Sequence, residues 1–177
     1  MSRIDDIFHS LRAGDRIGLM PFITAGYPSL DVTAELIPAF ERAGADIIEL
    51  GIPFSDPIAD GPVIANSMHE SLQAGITPQH VLDLIRSVRD KTNAGLIAMV
   101  SESIVTRIGE REFFARAADS GFDGVIIPDI DLVDAERAVN CADELDLSFT
   151  LLAARTTSDE RLARIASACR GFVYGLS

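Results

Sequence analysis

Cysteine and histidine are scarce in this 177-residue sequence. The two cysteines, Cys141 and Cys169, fall on predicted helices without CxxC or Cys–His spacing, which favours buried free thiols over a disulfide or a zinc site. His9, His69 and His80 are scattered, so no metal site is expected from them. Long apolar runs are missing too: none approaches the ~20 residues of a membrane span, which argues against insertion into a bilayer. The N-terminal MSRIDDIFHSLRAGDR alternates apolar and charged residues at helical spacing and lacks the apolar core of a secretory signal, so a cytoplasmic location is expected. Basic residues are in deficit, 15 against 27 acids, for a formal net charge of -12. A surface of that sign repels phosphate backbones and anionic lipid heads, which argues against nucleic acid and membrane as partners. Low-complexity linkers and breaks in composition are absent, and the length is that of one domain with a substantial core, residues 1–177.

What is there is alternation. Runs of Val, Ile, Leu and Phe recur at 17–24, 46–50, 95–100, 124–127, 147–153 and 171–176, separated by helix-period stretches, the pattern of βα units and a parallel sheet. Helix 30–43 places Leu30, Ala34, Ile37 and Phe40 on one face, with Pro38 expected to kink it. Residues 60–75 read as a short extra helix, 78–90 and 132–145 as amphipathic ones, and 110–120 as a helix closed by Gly121. Thr157 followed by Glu160 reads as a capping box. Two helix-to-strand joints repeat, AGADII from Ala43 and SGFDGVII from Ser120, where glycine stops a helix and an acid opens a strand.

An open doubly wound sheet and a barrel both fit such units. No GxGxxG or GxxxxGK[ST] follows the first strand, which removes the simplest nucleotide-binding reading. Thr24, Glu49, Ser101, Asp129, Thr156 and Ser177 stand at strand ends, where a βα barrel keeps its active site; the plainer reading is that strand ends are polar because loops are wet. Strands are evenly spaced except for a double-length gap after the second, so an insertion follows Glu49, where function collects.

Glu49 is the oddest residue. Its neighbours Ile47, Ile48 and Leu50 are apolar, and burial should raise its pKa, as an acid–base shuttle needs; a core acid satisfied by backbone groups fits equally. Asp56 and Asp60 lie in the following loop, where aspartate also caps turns and helices. Asp129 and Asp131, in PDID, suit either a divalent ion or sugar hydroxyl, or turn and capping roles. Met20, Phe22 and Tyr174 fall on strands as lining of an aromatic pocket or as plain core.

MPFITAGYPS from Met20, AGADIIELGIPFSDPIADGPVI from Ala43, FDGVIIPD from Phe122 and GFVY from Gly171 stand in the order and spacing of the tryptophan synthase alpha subunit, which the whole chain resembles. The resemblance implies a TIM barrel that cleaves indole-3-glycerol phosphate to indole and glyceraldehyde 3-phosphate, a retro-aldol reaction without a cofactor. It implies as partner a beta subunit that holds PLP and receives the indole. By the same match Glu49 transfers the proton, Asp60 holds the indole N–H, Phe22 and Tyr174 line the indole pocket, and Asp56 lies near the beta-subunit contact. Ser101 stands where many members have a tyrosine near the substrate, Asp129 belongs to the same substrate-facing end, and Asp131 and Arg155 replace prolines. Against the full eight-stranded barrel only about six βα units are present: strands seven and eight and the phosphate-cradling loops fall outside, and the first and sixth strands become edges open to pairing with another chain. The rival expectation is an inactive truncated or engineered half-barrel whose property is self-assembly or partner binding. A metal-using epimerase barrel would want histidines at strand ends, where none stands.

Overall fold

Ser2 opens the first helix by a reciprocal cap: its hydroxyl accepts the Asp5 N–H, and the Asp5 carboxylate accepts the N–H of Ser2 at 3.0 Å. The helix, α1 (Arg3–Ala13), buries Ile4 and Leu11. The computed structural model describes residues 2–56 and 61–176. Across them βα units follow in chain order: β1 (Phe22–Thr24), α2 (Leu30–Arg42), β2 (Ile47–Gly51), α3 (Pro62–Gln73), α4 (Pro78–Val88), β3 (Gly95–Met99), α5 (Glu102–Ile108), α6 (Glu110–Ser120), β4 (Gly124–Ile126), α7 (Leu132–Glu144), β5 (Ser148–Thr150), β6 (Leu152–Ala154), α8 (Asp159–Ala168) and β7 (Tyr174–Leu176).

Strands β1 to β5 lie side by side in the order β1-β2-β3-β4-β5, all parallel, and β6 pairs in parallel with β7. The order never reverses, so there is no crevice of the doubly wound kind; the winding is that of a TIM-barrel wall. Alternation along the strands then makes two apolar layers. Ile48, Leu50, Leu96, Ala98, Val125 and Phe149 face the helices. Ile47, Ile97 and Ile126 face the other way and pack with Ile4 of α1, joined by Met20, Met99, Leu152, Phe172 and Tyr174. That second layer is the barrel interior, with α1 contributing Ile4 to it.

The repeated joints have a shared purpose. Gly44 and Gly121 turn the chain at φ 103° and 100°, conformations that favour glycine. The acid two residues on then pins the neighbouring strand: Asp46 accepts the N–H of Leu19 at 3.0 Å, and Asp123 accepts that of Leu96 at 2.8 Å. Asp123 is also paired with Arg89 at 2.8 Å, and Arg89 donates to the carbonyls of Thr92 and Ala94.

Several boundaries differ from the sequence reading for local reasons. The first strand begins at Phe22 rather than Ile17, because Pro21 has no N–H and that of Leu19 goes to Asp46. The carbonyls of Leu19 and Pro21 still accept from Asp46 and Glu49, so this segment runs beside β2 with Ile17 96% exposed. The fifth strand breaks at Leu151, whose N–H goes to Cys169 Sγ at 3.1 Å and whose carbonyl accepts from Tyr174 at 3.0 Å. Pro38 does not end α2, which continues to Arg42. Thr157 is not the cap of α8: its hydroxyl accepts from Ala154, Ser158 caps instead, and Arg161 occupies the position where a box needs an acid. Cys141 lies on α7 and Cys169 just past α8, both half-buried free thiols. No helix among the described residues is long and apolar enough to cross a membrane.

Candidate active site

Period-two alternation along β2 sends Ile47, Glu49 and Gly51 to the inner face, with Ile97 and Met99 of β3 beside the last two. Phe22 pairs with Glu49 from the other side. Glu49 is thus hemmed in on both flanks by apolar side chains and is 3% exposed. Its carboxyl has no hydrogen-bond partner among the described residues. Burial alone pushes its pKa up to about 7. Of the two readings of Glu49 left open by the sequence, the core acid satisfied by backbone groups is the one this geometry lacks.

Two residues further along β2 the missing side chain of Gly51 makes space. A Cβ there would stand 2.5 Å from Cζ of Phe22 and 2.8 Å from Cε of Met68, so the ring of Phe22 and the tip of Met68 meet over this glycine. Met68 sits on α3, which is tied to β1 by a buried 2.6 Å hydrogen bond between the hydroxyls of Thr24 and Ser67. Ser67 donates to the Ile64 carbonyl, so Thr24 is the donor to Ser67.

Above this layer a cavity of about 400 Å³ opens at the C-terminal ends of the strands. Met68, Met99, Leu152 and Tyr174 give it an apolar wall, while Asp56, Ser101 and Asp129 supply polar groups. Cavities of this kind, mostly apolar with a few convergent polar groups, hold small molecules. Another groove, of about 510 Å³, lies on the outer side between α7 and α8, bordered by the Arg164–Glu136 ion pair and remote from the strand ends.

Ser101 and Asp129 come together, though first for each other. Ser101 caps α5 and donates to Asp129 Oδ2 at 2.8 Å, while Asp129 Oδ1 accepts the N–H of Glu102 at 2.9 Å. Asp131 caps α7, accepting from Val133 and Asp134, and these two N–H groups hold its carboxyl below the usual range. Burial and then the neighbouring carboxylates of Asp134, Asp129 and Asp131 push Glu102 upward. No cluster among the described residues is built to hold a metal ion.

The structure therefore gathers Glu49 and Phe22 on the inner face and Asp56, Ser101, Asp129 and Tyr174 around the cavity. Asp60 lies outside the described residues. Met68, Met99 and Leu152 were not singled out by sequence. Leu152 is readable from alternation once β5 is found, and Met68 from its place with Ser67 and Ser71 on the buried stripe of α3.

Comparison with known proteins adds an independent line. The family model described as tryptophan synthase alpha chain matches residues 8–177. The tryptophan synthase alpha chain of Synechococcus sp. (strain CC9902) is 42% identical over 170 residues, covering 96% of this chain and 63% of its own length. That of Caldanaerobacter subterraneus subsp. tengcongensis is 40% identical over 174 residues, covering 98% of this chain and 66% of its own length. Among solved structures, tryptophan synthase subunit alpha from Legionella pneumophila superposes with a TM-score of 0.96 at 34% identity, covering 100% of this chain and 68% of that one. The chain thus spans just under two thirds of the length of these curated relatives.

Proposed function

Because the chain belongs to the tryptophan synthase alpha chain family, we propose that it carries the acid–base chemistry that cleaves indole-3-glycerol phosphate to indole and glyceraldehyde 3-phosphate. The observation that supports this most is a single one. Glu49, a buried carboxyl without a hydrogen-bond partner among the described residues and with its pKa pushed up to about 7, stands on the inner face of β2.

The reaction asks for two proton movements. C3 of the indole ring must gain a proton, so that the bond from C3 to the glycerol carbon can break with its electrons returning to the ring. The hydroxyl on that glycerol carbon must lose a proton as the carbon becomes an aldehyde. A carboxyl with a pKa close to the working pH can give the first proton and take the second, leaving no net change in the enzyme. Asp60, nine residues beyond Gly51 in the sequence, is assigned the indole N–H by the family resemblance, where positive charge develops once C3 is protonated. The apolar wall of Met99, Leu152 and Tyr174, with Phe22 beside Glu49, suits a flat aromatic ring. Asp129 and Ser101, at the polar side of the cavity, suit the glycerol hydroxyls.

In this reading the chain, as one βα-barrel domain, works in the cytoplasm with neither metal nor organic cofactor. A PLP-containing beta subunit, approached from the side of Asp56, takes up the indole. Indole release from indole-3-glycerol phosphate, followed for the protein and for Glu49→Gln, tests the proposal. A loss of at least about 10²-fold in the variant with its circular dichroism unchanged is the expected result.

A further inference from the structure

The two apolar layers take up the buried hydrocarbon side chains of the described residues with two exceptions, Leu11 and Met68. Leu11 of α1 lies against Gly18. Met68 is 2% exposed, yet it joins neither the layer that faces the helices nor the one inside. Met20 and Met99 pack in the inner layer from the strand segments, whereas Met68 reaches inward from α3. A buried methionine outside the core calls for a reason other than core packing.

The register supplies one. Gly51 pairs with Thr24 on one side and with Met99 on the other, so these three share a level on the inner face, two residues beyond Glu49. At that level the Thr24 hydroxyl is taken by Ser67, Met99 lines the cavity, and Gly51 leaves a gap. Phe22 and Met68 fill the gap: Cζ of Phe22 and Cε of Met68 lie 2.5 and 2.8 Å from the point a Cβ of Gly51 would occupy. Of those two side chains, Met68 also borders the cavity. The helix that delivers it is fixed twice, by the Thr24–Ser67 hydrogen bond and by Ile76, just past α3, which packs where Gly26 has no side chain. Only the unbranched thioether tip is left free to adapt, and sulfur beside an aromatic ring is a favourable contact.

We propose that Met68 is a specificity-determining residue for the indole ring: its thioether tip, laid over Gly51 beside Phe22, limits the size of substituent that the benzene half of the ring can carry. An indole that offers C3 to Glu49 and extends along β2 toward the cavity passes Gly51, and there it meets Met68. This assignment rests on the indole chemistry proposed for the site.

The sequence contains no tryptophan, so the emission of an added indole is read against tyrosine alone. The test is the affinity of the protein and of Met68→Ala for indole and for each indole carrying one methyl group on the benzene ring, followed by that emission. In Met68→Ala at least one methylindole should gain about tenfold or more relative to indole, the order one methyl group is worth in an apolar pocket. Met68→Leu, close in volume, should keep the parent's preference. A general loosening of the fold weakens all these ligands alike and leaves their ratios unmoved. A smaller relative gain for every isomer, in a protein that binds indole, overturns the assignment alone. Failure of the parent to bind indole or any methylindole overturns it together with the function it rests on. If Met68→Ala does not fold, Met68→Val shortens the same side chain and reads the same ratio with the same outcomes.

Discussion

Glu49 binds its proton more tightly in the folded chain than in the unfolded one, since its pKa rises from 4.5 to about 7. A carboxyl raised in this way contributes its full stability below the unfolded value, and loses it as pH rises through the folded one. Glutamine imitates the protonated form at every pH. Glu49→Gln should therefore match the parent at about pH 4 and below and exceed it by up to about 3 kcal/mol at pH 8 to 9, as measured by urea denaturation. A parent that gained on the variant over that range would show the carboxyl to be stabilised as an anion instead. Gly51 makes a second residue-scale case. With Phe22 and Met68 meeting where its Cβ would be, Gly51→Ala should cost about 1–3 kcal/mol by overpacking, and a crystal structure should show the Phe22 ring displaced. Glu49 was visible in the sequence as one acid in an apolar strand, but its lack of a partner among the described residues was not, because that depends on what the neighbouring strands bring to the same face.

The βα units were legible element by element wherever propensity and burial agree. α6 runs over the residues its pattern marks, and α7 and α4 depart from theirs only at their ends. The failures have tertiary causes. α5 was missed because Ser-Glu-Ser-Ile-Val-Thr-Arg mixes capping and β-branched residues; what decides it is Asp129, from the next strand's end, holding Ser101 and the first N–H of the helix. The break in the fifth strand at Leu151 depends on a thiol 18 residues away. The repeated glycine-and-acid joint could be seen in the sequence, whereas its purpose, an acid pinning the neighbouring strand, needed the fold. That purpose predicts an effect. Arg89, only 15% exposed at its side chain, pairs with Asp123 and ties the ends of α6 and β3. Arg89→Ala should lower stability by about 2–3 kcal/mol, leaving a largely buried carboxylate short of its charge partner. Urea denaturation checks this, and a variant as stable as the parent would mean that the pair only balances its own desolvation.

For the whole molecule, the alternation of strand and helix was enough to specify parallel βα units, while the missing nucleotide-binding loops removed a nucleotide-binding reading and left both architectures open. The sequential strand order and the two apolar layers made that a barrel wall. Of the strand-end residues, Ser101 and Asp129 line the cavity at the C-terminal ends, whereas Glu49 lies in the middle of β2 and Ser177 lies outside the described residues; Asp131 serves α7, and Asp129 serves α5 as well as the cavity. The state of Glu49 is governed by burial. The proposed chemistry rests on that one carboxyl, on the inner face of β2, moving a proton. Its most direct test is the rate of indole release from indole-3-glycerol phosphate as a function of pH, for the protein and for Glu49→Gln: we predict a rate that turns on a group titrating near 7 in the protein and a loss of at least about 10²-fold in the variant, whereas near-normal release by Glu49→Gln would contradict it.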